Sequence, residues 1–316
     1  MDDRLAVVAI GGNSLIKSKN HQEVEDQHEA IRRTVRHIAG LIDHGYRIVV
    51  THGNGPQVGF IMRRSEIARK VAGLHPVPLV NCVADTQGSI GYQIQQSLDN
   101  ELLSRGKPAR CVTLVTQVVV DENDPEFAEP SKPVGEFYSP EEAAKIGGEY
   151  PGWKFAQDSG RGLRRVVPSP RPLEIVELTA LKTLLEAGCH VVAGGGGGIP
   201  VIRAEGGYAG VAAVIDKDFS SALLARGLGA ELLIISTAVE RVFLNYGKPG
   251  AREISRMNAA EAKEYIDQGH FAPGSMLPKI RAAVEFLQNG GQEVVITSPE
   301  YIEDAVRGAK GTHILP

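Results

Sequence analysis

The sequence predicts an α/β protein built on a mainly parallel sheet with helices on both faces. Two regularities predict it: apolar runs of strand length alternate with amphipathic stretches of helical period, and several of those runs end on glycine. The first run, Leu5 to Ile10, has no polar residue, so it reads as a strand buried on both faces; it stops at Gly11-Gly12-Asn13. Val24, Ile31, Val35, Ile38 and Ile42 then recur at steps of three, four or seven, one stripe of a helix that Gly45 ends. Ile48 to Thr51 is a second buried strand, closing on His52-Gly53-Asn54-Gly55. The rhythm continues through an amphipathic stretch near Val83 to Leu103, a strand over Val112 to Val120, a helix over Glu174 to Glu186 and a strand at Val191 to Ala193 that runs into Gly194 to Gly198. Leu232 to Ile235 is a further strand, Ala259 to Gln268 and Lys279 to Asn289 read as helices, and Val294 to Thr297 is the last strand.

Between Asp121 and Pro172 the rhythm breaks, and eight of the 18 prolines fall there among charges and glycines. The segment also carries Phe127, Phe137, Tyr138, Trp153 and Phe155, too much aromatic surface for a solvated linker, so it reads as a small folded lid. No internal repeat is visible. Net charge is -4, which gives no electrostatic reason to expect nucleic acid. Cys82, Cys111 and Cys189 are widely spaced and lack a C-x-x-C pair, so neither a disulfide framework nor a zinc site is suggested. Met1-Asp2-Asp3-Arg4 leads directly into the first strand without a signal-peptide layout, and no apolar stretch has membrane-spanning length. The expectation is a soluble, unanchored protein of the reducing cytoplasm.

The carboxyl ends of parallel strands share one edge, so the turns at Gly11-Gly12-Asn13, Gly53-Asn54-Gly55 and Gly194 to Gly198 could converge on one crevice, with Gly206-Gly207 as a hairpin-like turn nearby. One glycine pair alone would be an ordinary tight turn. The string G-x-x-x-x-G-K-[ST] and the protein-kinase signatures are missing, and Gly53, Gly55 and Gly59 miss the dinucleotide pattern by one residue, so P-loop, protein-kinase and nicotinamide readings are disfavoured. Phosphoryl transfer needs fixed cations, and three lysines stand in unusual context. Lys217 follows an apolar run in Val214-Ile215-Asp216-Lys217-Asp218 at the start of a helix. Lys279 follows Ala272-Pro273-Gly274-Ser275-Met276-Leu277-Pro278, read as a loop before another helix, and Lys132 lies between Pro130 and Pro133 in the lid. A solvated surface position is the ordinary alternative for any lysine. Asp216, ending the apolar run, reads as internal, whereas Asp218 reads as either a helix cap or a site residue.

At this point the strings themselves become recognisable. A-I-G-G-N from Ala9, T-H-G-N-G-P-Q-V-G from Thr51, T-Q-G-S-I-G-Y from Thr86, T-Q-V-V-V-D from Thr116, G-R-G-L-R-R-V-V-P-S-P from Gly160, A-V-I-D-K-D-F from Ala213, N-Y-G-K-P from Asn245 and G-H-F-A-P-G-S-M-L-P-K-I from Gly269 resemble carbamate kinase, in the same order and over nearly the whole chain.

The resemblance implies a single amino-acid-kinase domain, an open αβα sandwich around a mainly parallel eight-stranded sheet. Residues 1–120 and 173–212 would hold the acid, 121–172 would form the protruding subdomain and 213–316 would hold the nucleotide. It implies reversible phosphoryl transfer between ATP and carbamate, giving ADP and carbamoyl phosphate, with Mg2+ arriving on the nucleotide. The ATP-forming direction would serve catabolism of arginine or purine derivatives. It implies a homodimer.

Carried over by motif, Gly11, Gly12, Asn13, Gly53 and Asn54 would line the acid and the transferring group. Lys132, Lys217 and Lys279 would offset charge, Asp216 would orient the lysines, and Tyr246, Ala272 and Met276 would border the nucleotide. The first strand ends without the lysine that relatives phosphorylating amino acids place there, and Lys132 is available in its stead. Carbamate is already an anion and needs no general base, so His52 and His270 read as structural. Leu163 stands where the family usually has tryptophan, Gln157 replaces an acidic residue, and Arg241 replaces an aromatic residue in the stretch expected beside the nucleotide. The rival readings are a phosphotransferase for a related small acid and a nucleotide-binding homologue without turnover.

Overall fold

A computed structural model describes residues 4–11, 23–157 and 162–316, so Gly12 and Asn13 lie outside the described residues. The chain begins with β1 (Leu5–Ile10), α1 (Val24–Asp43), β2 (Arg47–His52), α2 (Gln57–Ala72), α3 (Leu79–Ser104), β3 (Cys111–Thr113) and β4 (Gln117–Val120). The excursion supplies β5 (Lys132–Tyr138), α4 (Pro140–Glu149), β6 (Lys154–Gln157) and β7 (Leu163–Val167). Then follow β8 (Pro172–Ile175), α5 (Leu178–Glu186), β9 (His190–Val192), β10 (Ile199–Ala204), β11 (Gly207–Gly210) and α6 (Lys217–Leu228). The last part holds β12 (Leu232–Ser236), β13 (Val242–Leu244), β14 (Arg252–Ile254), β15 (Arg256–Asn258), α7 (Ala259–Asp267), α8 (Met276–Gln288), β16 (Glu293–Thr297), α9 (Ile302–Val306) and β17 (Thr312–Leu315).

Eight strands form the main sheet in the order β15-β17-β16-β12-β1-β2-β9-β3. Only the β16–β17 pair is antiparallel. Side chains alternate across a strand, so a strand in mid-sheet feeds two cores. In β1, Val7 joins Val49, Leu233 and the apolar faces of α5, α6 and α8, while Ala6, Val8 and Ile10 join Ile31, Ile38, Ile90 and Ile94 of α1 and α3 on the other face. The uninterrupted apolar run of β1 is the sequence signature of that double burial. The excursion folds as its own three-stranded antiparallel sheet, β5-β7-β6, with α4. Its aromatics pack there: Tyr150 stacks on Trp153 at 4.6 Å, and the Arg165 guanidinium lies 3.7 Å above the Trp153 ring.

Four expectations need correction. The strand read over Val112 to Val120 is two strands in different sheets, because the backbone of Thr116 is captured by Gln87 of α3. The Gln87 amide donates to Thr116 O at 3.0 Å and to Gly195 O at 2.9 Å, and its carbonyl accepts the Thr116 N–H at 2.9 Å. The helix read from Glu174 begins only at Leu178; Pro172–Ile175 pairs with β4, and the Glu177 carboxylate takes the Gln117 N–H at 2.7 Å. The helix read from Lys279 begins earlier, at Met276, since Pro278 is tolerated in a first turn where helical N–H groups have no partner anyway. The sheet also continues past Thr297, through β17 and β15.

The run Gly194 to Gly198 threads between β2, β4 and the segment leading into α6. Gly198 has φ +90°, and a Cβ there would stand 2.1 Å from Val118 Cγ2. Gly206, in the β10–β11 hairpin, has φ +78° but open space around it. Gly198→Ala therefore adds overpacking to backbone strain and is expected to cost at least about 3 kcal/mol, against about 1 kcal/mol for Gly206→Ala. Urea unfolding of the two variants checks this; equal losses would contradict the packing account.

Candidate active site

The ends of β1, β2 and β9 open into one cleft of about 330 Å³. Gly11 from the first turn, Gly53 and Asn54 from the second and Gly196 from the third line it, so the three glycine turns converge. Lys132, Lys217 and Lys279 line it too, from β5, α6 and α8.

Two aspartates hold the three ammonium groups. Asp216 has extended backbone immediately before α6 and is its N-cap; Oδ1 accepts the Asp218 N–H at 2.9 Å. Its Oδ2 accepts from Lys132 Nζ at 2.6 Å. Asp218, one residue into the helix beyond Lys217, bridges the other two lysines, with Lys217 Nζ at 2.5 Å from Oδ1 and Lys279 Nζ at 2.8 Å from Oδ2. The side chains of Lys217, Lys279 and Asp218 are 12%, 14% and 6% exposed. Asp216, expected to orient the lysines, holds Lys132 and also caps the helix, and Asp218, for which cap and site roles were both open, holds the other two. The N-cap register decides this, because a cap carboxylate must turn back to the helix amides.

The electrostatics follow from burial. Desolvation alone would push the Asp218 carboxyl up, but the Lys217 and Lys279 ammonium groups outweigh it and hold it well below the usual carboxylate range. Burial would likewise raise Asp216, and Lys132 brings it below its ordinary value. Burial lowers Lys217 from the ordinary lysine value, with Asp218 opposing the shift. Three lysines and Arg164 against two aspartates leave the cleft lining net positive.

The turns are shaped around these groups. A Cβ at Gly53 would lie 3.6 Å from Lys217 Cδ, and one at Gly196 would fall 2.2 Å from Asn54 Oδ1. His52 is buried and neutral, its desolvation pulling the pKa down to about 4, and its Nδ1 donates to Gly53 O at 2.9 Å. His270 Nδ1 bonds Asn245 Oδ1 at 3.0 Å. Both histidines are engaged in structural hydrogen bonds.

Tyr246, Ala272 and Met276 do not line this cleft. Tyr246 is 68% exposed and rests edge-on against Phe243, and the stretch around Ala272 brings Gly274, Ser275 and Pro278 to the cleft instead. Arg241 is likewise drawn away, donating to Glu253 at 2.6 Å and to Gly311 O at 3.1 Å. Gln157 and Leu163 face one another as ladder partners of β6 and β7, outside the cleft lining. Arg164, not among the candidates read from the sequence, does line it, as does Ser236, the first residue of the stretch expected beside the nucleotide. Strand alternation after Leu163 was the available signal for Arg164, since it sets Arg164 and Arg165 on opposite faces.

Among the described residues no group of three His, Cys, Asp or Glu could hold a metal ion. Each oxygen of Asp216 and Asp218 accepts a hydrogen bond within this cluster.

The amino acid kinase family matches residues 4–298. The carbamate kinase-like protein YahI of Escherichia coli is 52% identical over 312 residues, covering 98% of each chain. Carbamate kinase 3 of Staphylococcus aureus is 48% identical over 309 residues, again with 98% of each chain covered. The carbamate kinase from Giardia lamblia, in a structure bound to AMP-PNP, superposes with a TM-score of 0.91 at 42% identity over 99% of both chains. With the lysine cleft, the sheet order and matches of this length in agreement, the chain belongs to the amino acid kinase family, among its carbamate kinases.

Proposed function

We propose that the protein transfers a phosphoryl group reversibly between ATP and carbamate. An oxygen of the carbamate anion attacks the γ-phosphorus, the new O–P bond forms as the bond to the ADP oxygen breaks, and carbamoyl phosphate results. The observation that carries this reading is the convergence of Lys132, Lys217 and Lys279 on two aspartates beside three glycine turns. Charge on the transferring group is met by ammonium groups already desolvated and oriented, which is where such catalysis gains most. The attacking group is an anion, so the neutral, engaged His52 has no proton to take.

Gly11, Gly12, Asn13, Gly53 and Asn54 are assigned to the acid. Lys217 and Lys279 are assigned to the nucleotide phosphates, with Asp216 and Asp218 holding the lysines in place. Tyr246, Ala272 and Met276 are assigned to the base, for which the exposed Tyr246 ring offers a stacking face. In this reading 1–120 and 173–212 carry the acid, 213–316 the nucleotide, and 121–172 delivers Lys132. Mg2+ would be held by the phosphates, adding charge neutralisation when bound. No helix among the described residues is long and apolar enough to cross a membrane, and the three cysteines are unpaired, which supports a cytoplasmic setting.

A homodimer is part of the proposal. β3 is an edge strand of the main sheet, Val115 just beyond it is 55% exposed, and Tyr92 and Leu103 are 57% and 59% exposed on α3. Eleven residues are about three turns, so the latter two share a face. Sedimentation should give twice the chain mass of 33.9 kDa; a single-chain species would remove the dimer.

Purified protein mixed with carbamoyl phosphate and MgADP is expected to form ATP, read by a coupled assay; formation no faster than the uncatalysed background would refute the reaction. Lys217→Ala should stay folded and lose on the order of 100-fold or more in kcat, as removal of a preorganised charge does. Because burial lowers Lys217, kcat/KM should decline on the alkaline side below the ordinary lysine range. Asp218→Asn withdraws the carboxylate that opposes this shift, so its alkaline limb should move to lower pH. A limb that Asp218→Asn leaves in place would mean that another group titrates.

A further inference from the structure

We infer that Thr86 is a positioning residue for the acid substrate: its hydroxyl fixes the Asn54 amide so that the NH2 group is presented to the cleft as a donor. The inference rests on the carbamate-kinase reading and extends it to the T-Q-G-S-I-G-Y string, for which the lysines and glycines do not account.

Thr86 is fully buried on α3, and its Oγ1 lies 2.5 Å from Asn54 Oδ1. An amide carbonyl oxygen only accepts, so the hydroxyl must be the donor of this bond. Val83 O is also 2.7 Å from the hydroxyl. As the carbonyl four residues before Gln87, however, it sits in the helix ladder and already has a donor. Among the described residues no other donor is bonded to Asn54 Oδ1, which is enclosed where Gly196 passes, at a position that a Cβ would approach to 2.2 Å. The glycine leaves room for the amide, and Thr86 determines which end of it points inward.

The other end is what the substrate meets. Asn54 is 8% exposed and lines the cleft, and no acceptor among the described residues is bonded to its Nδ2. Carbamate and carbamoyl phosphate present anionic oxygens, which accept hydrogen bonds. An asparagine turned by 180° would face them with its carbonyl and repel them; held by Thr86, it faces them with two N–H groups. The adjacent Gln87 complements this by tying Gly195 to Thr116, so consecutive residues of α3 set the amide and the glycine run against which it packs.

The test is steady-state kinetics in the ATP-forming direction. Thr86→Val should raise KM for carbamoyl phosphate by about tenfold or more, the scale of one charge-assisted hydrogen bond, while KM for MgADP stays within about twofold. Thr86→Ser, which keeps the hydroxyl, should recover the wild-type KM. A valine variant with unchanged KM for carbamoyl phosphate, or with both KM values raised alike, would overturn the inference. If Thr86→Val does not fold, Asn54→Asp decides: Thr86 can still donate to one carboxylate oxygen, and the other then faces the substrate, so KM for carbamoyl phosphate should rise by at least as much. Retention of the wild-type KM by Asn54→Asp would show that the inward group is not a donor. Wild-type protein that forms no ATP would instead bring down the functional reading itself, so the two failures are separable.

Discussion

The bridge from Asp218 to Lys217 and Lys279 is the contact on which the site depends. Two ammonium groups brought together in a buried place would repel each other and shed protons; a carboxylate between them keeps both charged and fixes both directions. The same carboxylate stands in the first turn of α6, where negative charge is favoured and a lysine alone would be opposed by the helix dipole. Asp216 completes the arrangement from the cap position, holding Lys132 and closing the helix end with one side chain. The run Asp216-Lys217-Asp218 together with Lys132 and Lys279 is therefore a single electrostatic unit, and its three ammonium groups outnumber its two carboxylates.

The parts of this that were legible in the sequence are those whose physics is local. A strand buried on both faces is mostly apolar, so β1 and the middle of β2 could be read from their runs alone, and a glycine ending such a strand points to the crevice edge whatever else the chain does. The break between β3 and β4 was hidden because Gln87, far away in sequence, captures Thr116. The roles of Asp216 and Asp218 could not be separated for a similar reason: both flank Lys217 symmetrically in the sequence, and only the register of the helix start makes one a cap and the other a bridge. Tyr246 and Arg241 were placed by resemblance to motifs, and neither reaches the cleft lining, since Arg241 finds carbonyl partners and Glu253 closer at hand.

The meeting of Lys132 with the other lysines needs more than the rigid sheet, because β5 belongs to the separate three-stranded sheet. Its placement is set by a backbone contact. A Cβ at Gly59 of α2 would stand 2.5 Å from Gly135 Cα of β5, so the two chains touch with no side chain between them. Gly135 itself has φ +73° and lines the cleft, three residues from Lys132. A larger residue at position 59 would have to move the strand outward and carry the lysine with it. Two of the charges are thus built into helices of the main domain, while the third stands on a strand of the smaller sheet that glycine lets come close. That strand is held against the main domain by the Asp216 ion pair, by the glycine contact and by Val134, which packs with Val58 and Met62 of α2 and Val83 of α3.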